Sequence, residues 1–247
     1  MWLIGPFYSN ITKPVLVLRM VVRKFFSVWA DRPGDRTSTA HGLERCRIVY
    51  INLASRPDRK TQIEKEFRLL GVRNYERFDA IARDRGITGC NLSHAAVLST
   101  ENFLDELVMV CEDDAKFLVS REDIDQAIEL FFSKEWLDVL CLGNVVENKA
   151  IRIDEHFAIS NNVQTTSCYL VRRKHLALIS SVFLKSAHKL ERGSPVWLYA
   201  SDIAWKSLQR WRLTFAVPLK TMVVQRPSFS DIQQREVDYF ADDSSSI

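Results

Sequence analysis

The sequence predicts an α/β fold: a mostly parallel central sheet with helices on both faces, preceded by an N-terminal amphipathic helix. Two observations lead there. Short apolar runs rich in β-branched residues alternate with segments of helical period, the pattern of strands joined by covering helices. The run Leu107-Val108-Met109-Val110-Cys111 has the length and composition of a buried strand, and it stops at three consecutive acids, Glu112-Asp113-Asp114. Three carboxylates cannot stay ionised in a core without partners, because desolvation disfavours unpaired charge. They therefore belong at the strand's carboxyl end, where open α/β sheets bind ligands.

The elements follow in order along the chain. Residues 47–53 read as the first strand, and Ala54-Ser55-Arg56-Pro57 as the turn after it. A helix over about 58–70 places Ile63, Phe67 and Leu70 on one face and stops at Gly71. Residues 75–80 form the second strand. Gly86 to Gly89 is expected as loop, with Asn91 or Ser93 opening a helix that carries Ala95, Ala96, Leu98 and Phe103. After the acid-ended strand come a helix over 123–132 and a strand over 136–142, ended by Gly143-Asn144. A strand over 163–171, a helix over about 174–184 and a helix over 201–211 follow, the last capped by Ser201 or Asp202. Strands over 213–217 and 222–225 close the series.

The chain has 247 residues and 28.6 kDa, enough for one large domain with a substantial core. Its net charge of +3 is unevenly placed. Lys13, Arg19, Arg23 and Lys24 give residues 1–30 a charge of +4 with no acid, leaving −1 for the rest (+3 minus +4). A body so near neutrality lacks the basic face of a nucleic-acid binder. The five cysteines, Cys46, Cys90, Cys111, Cys141 and Cys168, are scattered, with no C-x-x-C pair. They read as reduced residues of a cytoplasm-like compartment rather than as a disulfide framework or zinc site.

Residues 1–45 stand apart as a basic amphipathic segment and linker, with 46–237 as the domain and 238–247 as a flexible acidic tail. Residues 14–29 put Arg19, Arg23, Lys24 and Ser27 on one side of a helix and Leu16, Leu18, Val21, Val22, Phe25, Phe26, Val28 and Trp29 around the rest. The stretch is too charged for a membrane span. Two readings stand: a helix lying in a membrane interface, or one packed on the domain's own surface.

The acid cluster can hold a hard divalent cation through oxygen ligands. Glu112 and Asp114 are two positions apart and would point the same way on an extended chain, with Asp113 turned elsewhere. The competing reading is a strand-end cluster paired with arginines. Arg56 and Arg59 follow the first strand and have the planar fork that suits phosphate; Asp58 and Glu64 are their alternative, purely structural partners. Asn52 could bond a base or fix the turn. Ser93 and His94, if near a helix start, would sit where free N–H groups favour an anion.

Four stretches together resemble glycosyltransferase family 25, which includes lipooligosaccharide and collagen galactosyltransferases. Tyr50-Ile51-Asn52-Leu53-Ala54-Ser55-Arg56-Pro57-Asp58-Arg59 resembles its opening I-N-L-x-x-R-x-x-R. Gly89-Cys90-Asn91-Leu92-Ser93-His94 is similar to its G-C-x-x-S-H, and Glu112-Asp113-Asp114 to its E-D-D. Gln225-Arg226-Pro227-Ser228-Phe229-Ser230-Asp231-Ile232 is similar to a late S-D-I element. The order and spacing agree from about residue 47 to 232. One departure is visible: Ile87-Thr88 stands where many members carry an acid.

The resemblance implies a GT-A-like fold and transfer of a hexose, most often galactose, from a UDP-sugar with inversion. A divalent metal, Mn²⁺ or Mg²⁺, on Glu112 and Asp114 would neutralise the leaving diphosphate of such a donor. Asn52, Arg56, Arg59, Ser93, His94 and Asp113 would then serve the nucleotide. The acceptor would be a glycan or a lipid-linked glycan of a surface polysaccharide or lipooligosaccharide, and the protein would work in the cytoplasm or peripherally on the inner membrane. Inverting transfer needs a base. Asp202, after the aromatic stretch Pro195-Val196-Trp197-Leu198-Tyr199, is the first candidate and Asp231 the second. A plain helix N-cap is the ordinary use of an Asp such as Asp202. Two alternatives are a metal-dependent phosphohydrolase, which would need a His- and Asp-rich second ligand set, and a non-catalytic nucleotide- or glycan-binding module.

Overall fold

The computed structural model describes residues 18, 21–22, 40–99, 105–146, 150–230 and 235–237. The membrane expectation for residues 14–29 and the tail 238–247 therefore lie almost wholly outside the described residues; Leu18, Val21 and Val22 are helical and exposed. No helix among the described residues is long and apolar enough to cross a membrane.

The chain runs β1 (Cys46–Asn52), α1 (Pro57–Leu69), β2 (Glu76–Asp79), α2 (Gly86–Ser99), β3 (Leu107–Glu112) and β4 (Ala115–Phe117). It continues through α3 (Arg121–Ser133), β5 (Val139–Cys141), β6 (Val145–Val146), β7 (Ile151–Arg152), β8 (Phe157–Ser160), β9 (Val163–Gln164) and β10 (Cys168–Arg172). Then come α4 (Leu176–Glu191), α5 (Val196–Tyr199), α6 (Ser201–Ala204), α7 (Lys206–Trp211), β11 (Phe215–Pro218), β12 (Val223–Gln225), β13 (Ser228–Ser230) and β14 (Arg235–Val237).

Eight strands form the central sheet in the order β2-β1-β3-β10-β5-β11-β8-β7. Following the pairings across it, β1, β2, β3, β5, β7 and β11 point one way, and β8 and β10 run against them. The sheet is thus mostly parallel by strand direction, as the sequence predicts.

The two faces are written into alternate residues. On β1 and β3, Ile48, Tyr50, Leu107, Met109 and Cys111 join Ile63 and Phe67 of α1 and Ile124, Ile128 and Phe131 of α3 in one core. Val49, Ile51, Val108 and Val110 face Val97 and Leu98 of α2 and Ile179 and Phe183 of α4 on the other side. A strand covered on both faces has no use for polar residues until it leaves the sheet, which explains the unbroken apolar run before Glu112.

Local signals set the helix ends. Pro57 sits in the first turn of α1, and Gly71 after it adopts φ 66, the left-handed stop that glycine accepts without strain. Ser120 and Asp123 form a reciprocal capping box on α3. At the other end of α3, buried Arg172 donates from Nη2 to Phe131 O at 2.8 Å and Lys134 O at 3.1 Å, satisfying terminal carbonyls.

Three expectations need correction. α2 opens at Gly86, not at Asn91 or Ser93, so Ser93 and His94 lie in mid-helix and the N-terminal dipole argument for them fails. Gly89 is inside the helix because its missing side chain admits a close approach; a Cβ there would stand 2.2 Å from the Ile81 carbonyl oxygen. The strand expected over 163–171 is two strands, parted at Thr165, which adopts φ 68. The helix expected over 201–211 is divided at Trp205 into α6 and α7.

Candidate functional site

The carboxyl ends of β1 and β3 meet the entry of β10, the middle of α2, the first turns of α1, and α6. Glu112 is the last residue of β3, and its backbone N–H donates to Ser167 O at 2.8 Å. Asp113 and Asp114 form the turn into β4. Because the chain stops being extended at Glu112, the alternation expected for the three acids does not hold. Arg59 reaches both acids of the turn, 3.0 Å from Asp113 and 3.6 Å from Asp114.

Asp113 also accepts a 2.7 Å bond from Asn52 Nδ2. Asn52 in turn accepts from Arg77 Nε at 3.0 Å and donates to Arg56 O at 3.0 Å. Asn52 is 1% exposed, and its amide links the ends of β1 and β3 rather than facing an open site. Burial pushes the Asp113 carboxyl up, with Arg59 and Asn52 pulling the other way.

Glu112 is held from the opposite side. Thr166 Oγ1 donates to Glu112 Oε1 at 2.6 Å, and His94 Nε2 lies 3.2 Å from the same oxygen. His94 Nδ1 lies 2.9 Å from the Tyr169 hydroxyl. Although burial pushes Glu112 up, the His94 and Thr166 hydrogen bonds and nearby Arg59 carry it below the usual carboxylate range.

Asp114 is the least compensated of the three. Its Oδ1 is buried with no hydrogen-bond partner among the described residues. Burial, then the charge of Glu112, pushes its carboxyl up to about 7, against the pull of Arg59. A buried carboxylate oxygen without a donor, beside a second ionised carboxylate, fits an oxygen-loving divalent cation. Asp114 and Glu112 are the residues that would hold it.

Asp202, in α6, belongs to the same neighbourhood. Burial raises its carboxyl; Lys206 lowers it, Glu112 raises it, and a backbone hydrogen bond from Thr165 lowers it again. Thr165 itself holds φ 68, a conformation that a β-branched residue adopts only under constraint. Asp231 lies outside the described residues.

Other expected site residues also make contacts within the fold. Ser93 donates to Gly89 O at 2.7 Å and accepts from Ile81 N at 2.8 Å, so its hydroxyl fastens the loop after β2. His94 is fully buried and orients Glu112. Arg56 forks onto Asp58 at 2.9 Å, the purely structural pairing weighed from the sequence, and that hydrogen bond holds Asp58 down to about 2.

Sequence reasoning missed Arg226. Its N–H donates to Asp114 O at 2.7 Å, and its guanidinium pairs with buried Glu66. Glu66 also accepts from Phe117 N at 3.0 Å, so α1, β4 and the end of β12 are tied beside the acid turn. The signal was present, since Arg226 stands in the late motif.

A cavity of about 1110 Å³ opens at the other end of β1 and β2, lined in part by Arg47, Arg73, Glu76 and Arg121. It is remote from the acids and at the amino ends of the strands, away from where open α/β sheets bind ligands.

No protein-family model matches the chain, and no curated protein matches it. Solved structures give distant likenesses. A mannose-1-phosphate geranyltransferase from Thermus thermophilus aligns over 74% of each chain at 9% identity and TM-score 0.41. A 4-diphosphocytidyl-2C-methyl-D-erythritolsynthase from Anaerococcus prevotii covers 76% of this chain and 75% of its own, at 12% identity and TM-score 0.41. A glycosyltransferase involved in glycosylation of the major capsid of PBCV-1 covers 70% of this chain and 94% of its own, at 11% identity and TM-score 0.37. Likenesses this distant do not speak to the activity of this chain.

Proposed function

We propose that the chain is a metal-assisted, inverting glycosyltransferase of the GT-A type, related to family 25. In this reading it moves a hexose, galactose first, from a UDP-sugar to a glycan or lipid-linked acceptor in surface polysaccharide or lipooligosaccharide synthesis. Its place would be the cytoplasm, or peripherally the cytoplasmic face of the inner membrane. One observation carries the reading: three of the four motif segments, far apart in sequence, converge on the acid triplet of the third. Asn52 and Arg59 from the first hold Asp113, His94 from the second holds Glu112, and Arg226 from the fourth holds the Asp114 carbonyl.

The chemistry follows from the placement. A divalent ion held by Asp114 and Glu112 would supply positive charge for a leaving diphosphate. Arg59 adds fixed positive charge beside them. The acceptor hydroxyl attacks the anomeric carbon, the bond to the UDP oxygen breaks with its electron pair, and Asp202 takes the hydroxyl proton. A carboxylate raised by burial is a stronger base than a free one, which suits Asp202 to that task.

The test is a screen of UDP-galactose and other nucleotide sugars with purified protein, with and without Mn²⁺, read as donor hydrolysis and as thermal shift. Metal-dependent release of UDP, together with a raised melting temperature, is expected. Absence of both for every nucleotide sugar would overturn the reading. Binding with no turnover would leave the non-catalytic module in its place, and release of phosphate from simple phosphate esters would favour the phosphohydrolase.

A further inference from the structure

We infer that Cys90, His94 and Glu112 form a second metal site, one that takes a borderline-soft ion such as Zn²⁺ through a thiolate, an imidazole and a carboxylate. The inference does not depend on the glycosyltransferase reading. Cys90 and His94 are four residues apart on α2 and so share a helix face, and that face looks onto the end of β3. A sulfur, a ring nitrogen and a carboxylate oxygen from the three residues all lie within 4.8 Å of one another.

The spacing matches the ion. Zinc bond lengths imply an N···O tetrahedral edge of about 3.4 Å and edges to sulfur of about 3.6 Å. The observed His94 Nε2 to Glu112 Oε1 separation is 3.2 Å. The thiol is the one ligand that would have to move inward, by about 1 Å at most on these lengths.

The surroundings fit as well. Metal-bound histidines anchor their second ring nitrogen on a polar partner, and His94 Nδ1 rests 2.9 Å from the Tyr169 hydroxyl. Thr166 fixes the carboxylate, and Ser201 Oγ lies 3.8 Å from the Cys90 sulfur and 3.3 Å from Thr166 Oγ1. This donor set differs in kind from the all-oxygen pair Asp114 and Glu112. Sulfur and imidazole select zinc over Mg²⁺ or Mn²⁺, and Glu112 would be common to both sites. Binding here releases the thiol proton, so affinity should rise with pH.

Co²⁺ titration of the reduced, chelator-treated full-length protein tests it. A thiolate-to-cobalt charge-transfer band with the strong visible bands of a tetrahedral ion is expected at one equivalent. The charge-transfer band should vanish in Cys90→Ser and persist in Asp114→Asn. Tyr169→Phe should weaken binding by roughly 10–100-fold. No such band in the parent, or an undiminished one in Cys90→Ser, would overturn the site. Should Cys90→Ser fail to fold, X-ray absorption on the zinc-loaded parent decides: one sulfur with nitrogen and oxygen supports the site, and a shell without sulfur overturns it.

Discussion

Arg59 answers two adjacent carboxylates with one guanidinium, 3.0 Å from Asp113 and 3.6 Å from Asp114. Its side chain is 13% exposed, so its removal leaves both acids almost without countercharge in a desolvated turn. Arg59→Ala should destabilise the protein by about 3 kcal/mol in urea denaturation, the low end for breaking a buried pair. The low end applies because Asp114 can take up a proton. Arg59→Lys should recover only part of that loss, since an ammonium lacks the planar fork. A change under about 1 kcal/mol for Arg59→Ala would contradict the assignment.

Asp114→Asn keeps the shape of the turn and removes the charge that would hold a cation. Metal-dependent donor turnover should fall by about 10²-fold or more, the scale of losing a few kcal/mol of charge stabilisation. The far-ultraviolet circular dichroism should be unchanged. Turnover at the parent rate would show that the ion, if used, sits elsewhere.

Asp114 also predicts a pH dependence in metal-free protein. Burial and the charge of Glu112 push its carboxyl up to about 7 in the folded state, from 3.8 in the open chain. Between those values the native state holds a proton that the unfolded chain has given up. Stability from this group is therefore complete below 3.8 and declines as pH rises toward about 7. Asp114→Asn should flatten that decline relative to the parent in melting curves recorded across the window. Mn²⁺, which needs the ionised form, should stabilise the parent more at pH 7 than at pH 5. Parallel curves for parent and variant would refute the shift.

Gly89→Ala tests the close approach of α2 to the loop after β2. The added Cβ would meet a backbone oxygen at 2.2 Å, so the helix itself must shift. We expect a loss of roughly 1–3 kcal/mol, as for overpacking elsewhere. Donor turnover should fall as well, because α2 carries His94. Unchanged stability would mean that the approach is looser than it stands here.

Asp202→Asn should lower sugar transfer by roughly 10²–10⁴-fold, the range for a positioned base, while leaving affinity for UDP near the parent value. Equal loss of UDP affinity would assign Asp202 to the nucleotide instead.

The sequence carried β1, α1, β2, β3 and α3 within a residue or two, because each is either a short apolar run or a cleanly bounded helix. Residues 47–53 became β1 at Cys46–Asn52, and 58–70 became α1 at Pro57–Leu69. It did not carry β8, because Phe157-Ala158-Ile159-Ser160 is too short to show a period. It misplaced the start of α2, because Gly86 and Gly89 look like loop until the packing against Ile81 is known. The acid cluster was legible; its division of labour was not. That Glu112 answers to His94 and Thr166, and Asp113 to Asn52, depends on residues 18 to 61 positions away. The turn at Asp113-Asp114 voids the alternation on which a purely local reading relied.

Strand β10 runs against both of its neighbours, and this sets how its residues reach the acid turn. β1 and β3 deliver residues as they leave the sheet, whereas β10 delivers Thr165, Thr166 and Ser167 before it enters. Ser167 still takes the Glu112 N–H, which extends the β3–β10 register, so Thr165 and Thr166 lie ahead of the ladder and a change of length beside the acids falls there at least cost to the sheet. Differences in loop length among chains of this architecture should concentrate on that inbound stretch rather than on the outbound ones.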